Sequence, residues 1–188
     1  EFASKLESRG TKVHWCPTGP DARDTIRGII RDAKAKCVVK SKAMTAEEIH
    51  LNEALEKDGF EVVESDLGEF IVQLRKEPPY HIVFPAMHLT RDEISDLFQK
   101  ELGSAPTREP EELTMIARRA LRQKYVTADV GITGANFAIA ETGMISITEN
   151  EGNARLAVGL PKIHVALIGI EKVVPRIADL ALLLPMLA

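Results

Sequence analysis

Two spacings of apolar residues alternate along the chain. Ile26, Ile29 and Ile30 recur at helical intervals within residues 21–34, and the run Cys37-Val38-Val39 then reads as a buried strand ending in the polar group Lys40-Ser41-Lys42. Thr45-Ala46-Glu47-Glu48 has the form of a capping box, predicting a helix through Ile49, Leu51 and Leu55 that closes at Asp58-Gly59. A strand over 60–63, a helix over 67–76 and a strand over 81–84 follow. Thr90-Arg91-Asp92-Glu93 repeats the capping box ahead of Ile94, Leu97, Phe98 and Leu102. Upstream, Gly10 closes a first helix and residues 12–15 read as a short strand. Strand–helix repetition with short connections predicts an α/β fold with a mostly parallel, doubly wound sheet.

The rhythm changes after Gly103. Residues 104–110 form a loop with two prolines, read as a subdomain joint within a single domain spanning 1–188. Leu113, Ile116, Ala117, Ala120 and Leu121 mark one face of the next helix. Its acids Glu111 and Glu112 stand at the start and its bases Arg118, Arg119, Arg122 and Lys124 toward the end, as the helix dipole favours. Three β segments over 129–133, 137–140 and 144–148 come next, with Thr142-Gly143 turning an added β-hairpin. A short helix over 153–160, a strand over 163–168 and a terminal helix after Pro175 complete the predicted order.

Charge and cysteine content narrow the function classes. With 24 Lys+Arg against 28 Asp+Glu, a binder of nucleic acid that relies on a basic face is excluded. Two cysteines, Cys16 and Cys37, supply neither a disulfide framework nor a four-thiolate metal site. The five histidines show no ligand spacing, so no metal is expected on this chain, and His14, His81 and His164 read as satisfied residues of apolar strands. The apolar runs at 165–170 and 180–184 fall far short of a membrane span. A start without Met and an apolar ending lead to the expectation of a fragment of a longer protein.

Candidate chemistry gathers where glycine does: six of the 12 glycines lie between residues 131 and 169. In an open α/β sheet, ligands bind outside the carboxyl ends of the strands. Thr133-Gly134-Ala135-Asn136 follows such a strand, with Gly134 allowing close backbone approach and Thr133 and Asn136 offering hydrogen bonds. The loop Glu149-Asn150-Glu151-Gly152-Asn153-Ala154-Arg155 holds three charges and two amides between a strand and a helix. A carboxylate there can bind a cation, act as general base or attack an acyl group, and Arg155 suits a carboxylate or phosphate. Lys40, Ser41 and Lys42 form a second candidate for anion contact.

At these residues the chain resembles the lactate-utilization (LUD) domain family, in its iron–sulfur branch. The likeness is carried by Val39-Lys40-Ser41-Lys42-Ala43-Met44 with Glu47-Glu48-Ile49, by Glu64-Ser65-Asp66-Leu67-Gly68-Glu69 and by Pro85-Ala86-Met87-His88. It continues through residues 131–143, which include Glu141-Thr142-Gly143, then 149–155 and Gly169-Ile170-Glu171-Lys172-Val173-Val174-Pro175. The resemblance implies a fold akin to the sugar-phosphate isomerase, deaminase and CoA-transferase group. It also implies a cytoplasmic bacterial parent that oxidises L-lactate to pyruvate with partner subunits. Two 4Fe–4S clusters are expected in a C-terminal part of that parent, since this chain has no Cys-rich motif to bind them.

The site so implied comprises Lys40, Ser41, Lys42, Thr133, Gly134, Ala135, Asn136, Glu141, Thr142, Gly143, Asn150, Glu151, Gly152, Asn153 and Arg155, with Glu149 as the candidate catalytic residue. On this reading the isolated domain is inactive by itself and binds a small anion within a complex. A transferase or ligase acting through Glu149 is the alternative, because Thr148-Glu149-Asn150-Glu151-Gly152 is similar to the Ser-Glu-Asn-Gly motif of CoA-transferases apart from an extra acid. A docking scaffold without ligand is the other.

Overall fold

The computed structural model describes residues 1–149 and 151–187. Four short parallel strands make its main sheet: β1 (Cys37–Lys40), β2 (Glu61–Glu64), β3 (Val130–Thr133) and β6 (Ile163–Ala166), in the order β2-β1-β3-β6. Val38 pairs with Val62 on one side and Val130 on the other, and Val130 with Ile163. A smaller mixed sheet joins β4 (Phe137–Ile139), antiparallel β5 (Met144–Ser146) and parallel β7 (Val173–Val174).

Because side chains alternate along a strand, β1 and β2 feed two cores, while the apolar side chains of β3 and β6 feed one of them. Val38, Val62, Val130 and Ile132 meet Ile26 and Ile30 of α2 (Gly19–Asp32), Ala46 of α3 (Met44–Glu48), and Leu51 and Leu55 of α4 (Leu51–Lys57). Cys37, Val39 and Val63 face the other layer. There they meet Phe70 and Ile71 of α5 (Leu67–Arg75), Phe98 of α6 (Arg91–Leu102), Leu113 to Tyr125 of α7 (Pro110–Thr127) and Ala157 of α8 (Asn153–Gly159). Helices on both faces make the sheet doubly wound, as predicted. Residues 103–109 connect α6 to α7, and both helices enter this one core. A short α1 (Phe2–Glu7) packs on the β4–β5 turn, where a Cβ on Gly143 would meet Lys5.

The element order departs from the pattern in four places. Residues 12–15 and 81–84 are not strands. Tyr80, Ile82, Val83 and Phe84 are exposed in a turn bounded by Pro78-Pro79 and Pro85, whose missing N–H groups prevent ladder pairing. The helix predicted to open at Thr45 instead starts at Met44 and breaks at His50, whose φ of 51° is left-handed, so Thr45 caps nothing. The terminal helix reduces to α9 (Leu180–Leu183) between two 3₁₀ turns. The Thr90 box does form, with Thr90 and Glu93 bonding reciprocally.

Candidate functional site

All four strands of the main sheet point their carboxyl ends the same way, and the order reverses between β1 and β3: β1 leads outward to β2, β3 outward to β6. Such a switch point splits the crossing connections to opposite faces and opens a crevice between the two loops. Here those loops are residues 41–43 and 134–136. They touch, since a Cβ on Gly134 would lie 3.2 Å from Ala43 Cβ.

Hydrogen bonds tie the neighbouring loops into the same rim. The Ser65 hydroxyl donates to Lys40 O (2.8 Å), joining the ends of β1 and β2. The Leu67 N–H donates to Glu151 (3.1 Å), joining the start of α5 to the loop before α8. The Thr148 N–H donates to Asn136 Oδ1 (2.7 Å), closing the end of β5 on the end of β3. Tyr125 of α7 reaches Asn153 O at 3.5 Å. On one flank, Lys42 Nζ donates to the carbonyls of Ile82 and Val83, and Pro85 lies against Gly68. The exposed turn thus forms a wall of the crevice.

Within this rim the predicted residues take distinct places. Lys42 and Arg155 are the cations at the mouth, the Arg155 side chain 83% exposed. Gly134, Ala135 and Asn136 are half-buried in the wall. Ser41 is buried, its N–H bonded to Ile132 O. Glu149 accepts from the Arg155 N–H (2.9 Å) and pairs with its guanidinium (3.3 Å), closing the first turn of α8 behind Gly152, whose φ is 73°. Asn153 is buried, its Oδ1 accepting from Ala154 N. Asn150 lies outside the described residues.

Two groups are placed away from direct contact. Lys40 and Thr133 are sealed from solvent beneath the rim: Lys40 is paired with Glu64, and Thr133 is hydrogen-bonded to His164 Nε2 (2.8 Å). Burial holds His164 below its ordinary pKa, so the ring that meets Thr133 is neutral near pH 7. Glu141, Thr142 and Gly143 turn the β4–β5 hairpin at the end opposite Asn136. There Glu141 accepts from Ile177 N–H and Thr142 from Met144 N–H, bonds that order the hairpin and the terminal segment.

Several site residues escaped the pattern. Ser65, Asp66, Tyr125 and an acidic group, the buried Glu64 and Glu69 with the half-buried Glu47, line or underlie the crevice. The Glu64-Ser65-Asp66-Leu67-Gly68-Glu69 motif held the signal for most of them, at the end of an apolar strand. Desolvation between the loops and the charge of Asp66 push the Glu151 carboxyl up, although the residue as a whole is exposed. Burial pushes the Tyr125 hydroxyl up as well.

Iron–sulfur ligation does not fit these residues. Cys37 is in the core, its thiol raised to about 11 by burial and then by Glu61, and Cys16 lies half-buried beside Thr25. Two thiols fall short of the four that a cluster takes. Among the described residues no His, Cys, Asp and Glu group is disposed to hold a metal ion, and no helix is long and apolar enough to cross a membrane. A separate open recess of about 700 Å³ lies against α7, lined by Gly103, Pro106, Met115 and Arg119 among others. None of the loops that end β1, β2 or β3 reaches it.

A mostly parallel sheet flanked by helices, with polar loops gathered at its switch point, defines an α/β domain. Residues 1–188 match the model of the LUD domain, and the chain belongs to that family. It is 46% identical over 188 residues to a protein of Anoxybacillus flavithermus and 47% identical over 188 residues to one of Bacillus subtilis. It is 48% identical over 187 residues to a protein of Oceanobacillus iheyensis. All three relatives are named Lactate utilization protein B. Each match takes in the whole chain but only 39–40% of the relative's length. No solved structure matches the chain.

Proposed function

We propose that the crevice between β1 and β3 binds a small carboxylate such as L-lactate, and that the chain is the ligand-binding, complex-forming domain of a longer lactate-utilization protein. The observation that carries this reading is the placement of Lys42 and Asn136 on touching loops at the switch point, with Arg155 in the first turn of α8, whose preceding segment bonds to Asn136 through Thr148. A carboxylate entering there meets a guanidinium of matching fork geometry and an ammonium, with amide groups to fix its orientation. The names of the relatives favour lactate as the ligand class.

Oxidation of L-lactate to pyruvate removes two electrons and two protons. In this proposal the oxidation itself is completed elsewhere in a cytoplasmic parent and its partner subunits, where iron–sulfur clusters would supply the electron-accepting chemistry and water would take up the protons. This chain's residues bind and orient the anion. Arg155 and Lys42 compensate its charge, and the wall formed by residues 80–85 limits water at the mouth. Acyl transfer through Glu149 is the less favoured reading, because both carboxylate oxygens already serve Arg155.

Calorimetric titration with L-lactate tests the proposal. Heat of binding from the wild-type chain, reduced at least tenfold in affinity by Arg155→Ala or Lys42→Ala, is the expected result. Equal affinities in folded variants would contradict it. No binding of lactate together with intact association to partner subunits would favour a docking scaffold instead.

A further inference from the structure

Six buried side-chain polar atoms have no hydrogen-bond partner among the described residues, and five belong to one interacting group: Lys40 Nζ, Glu47 Oε1, Asn52 Oδ1, Glu64 Oε2 and Glu69 Oε1. Lys40 Nζ is 2.8 Å from Glu64 Oε1, an ionic contact not aligned as a hydrogen bond, and Asn52 Nδ2 donates to that same oxygen at 2.5 Å. Native interiors leave few such atoms unpaired, because a buried polar group without a partner has lost its water for nothing. Five in one place point to something the side chains share.

A metal ion does not suit the arrangement. A proton does. Three carboxylates share one buried ammonium, Lys40, with Lys42 just beyond, so negative charge outweighs positive there. Protonating one carboxyl removes a charge and converts an acceptor into a donor, which can then serve a neighbour's orphan oxygen.

We propose that Glu69 is a proton-binding site set in the floor of the crevice, its buried carboxyl grouped there with Glu47, Glu64 and Lys40, whose polar atoms are likewise left without partners. Glu69 sits in the first turn of α5 and is 4% exposed. Burial first, then the charges of Glu47 on α3 and Glu64 on β2, raise it to about 7, against the pull of Lys40 on β1 and Lys42 just beyond. From α6, Phe98 packs against Phe70, and the charged contact with α5, Glu93 with Arg75 (3.8 Å), lies at the end of α5 away from Glu69. Burial raises Glu47 too, so the proton belongs to a group in which Glu69 is the main holder. Loss of this proton places a negative charge beneath Lys42. If the crevice binds an anion as proposed above, its affinity therefore falls as pH rises.

The sign for stability follows directly. A carboxyl raised in the folded state from an ordinary value of 4.5 stabilises the fold at low pH, and that contribution is lost as pH rises through about 7. Denaturant unfolding between about pH 5 and 8 tests it on wild type and Glu69→Gln. The wild-type folding constant is expected to fall by up to about tenfold per pH unit until about pH 7 and then level, one proton being linked. The Gln variant, which keeps donor and acceptor without ionising, loses most of that slope, the remainder coming from the raised carboxyls of Glu47 and Glu151. Carbon-13 NMR of the wild-type glutamate carboxyls gives an independent reading should the variant not fold, with one resonance titrating near neutrality. A wild-type slope that survives undiminished in Glu69→Gln, or glutamates that all titrate in the ordinary carboxylate range, overturns the proposal. Neither readout needs a ligand, so failure here is distinct from failure of the crevice to bind lactate.

Discussion

The Lys40 ammonium lies 2.8 Å from a Glu64 carboxylate oxygen, with side chains 1% and 4% exposed, at the paired ends of β1 and β2. Such a pair owes more to mutual dependence than to net attraction, because both charges have left water. Lys40→Met should therefore destabilise the domain by about 3–5 kcal/mol, as it strands the carboxylates of Glu64, Glu69 and Glu47. The double variant Lys40→Met/Glu64→Met should recover part of that loss. Urea unfolding of the two single variants and the double variant measures the coupling; additive losses would contradict it.

Gly131 is the point where α8 rests on β3. A Cβ there would lie 1.8 Å from Ala157 O, which is backbone and has no rotamer to escape into. Gly131→Ala should cost at least about 1–3 kcal/mol, the range for overpacking, and shift α8 with the loop at 149–155. Gly28, within α2 with open space at its Cβ, serves as the contrast. Gly28→Ala should stabilise by about 0.5–1 kcal/mol through helix propensity. Thermal unfolding of both distinguishes them.

Glu149 acts on this structure as the partner of the α8 first turn. Glu149→Ala should lower stability by about 0.5–2 kcal/mol, the cost of a lost cap, and raise the hydrogen-exchange rate of the Arg155 amide. Unchanged exchange would return Glu149 to candidacy as a free nucleophile.

Much of this fold is legible from spacing. Ile26 and Ile30 fall on the buried face of α2, and the apolar runs at 37–39 and 163–166 become parallel strands. The Thr90 capping box forms, whereas the equivalent pattern at Thr45 does not, because the helix already starts at Met44 with Ala43 as its N-cap and so takes Thr45 inside it. Residues 81–84 have strand-like composition but no neighbour to pair with, a tertiary fact that local pattern does not carry. The loops at 41–43, 134–136 and 149–155 were readable as strand ends. The burial of the acids beneath them was not: Glu64 and Glu69 stand in a motif that carries the family resemblance, but only the topology reveals that both are buried and that Glu64 meets a buried lysine.

The most direct test of the crevice as a carboxylate site is a map of backbone amide shifts on titration with L-lactate. Saturable shifts at Ser41, Lys42, Gly134, Asn136 and Arg155, abolished in Arg155→Ala, are the predicted result. Shifts confined to the recess beside α7, or none at any lactate concentration that leaves the chain folded, would contradict it.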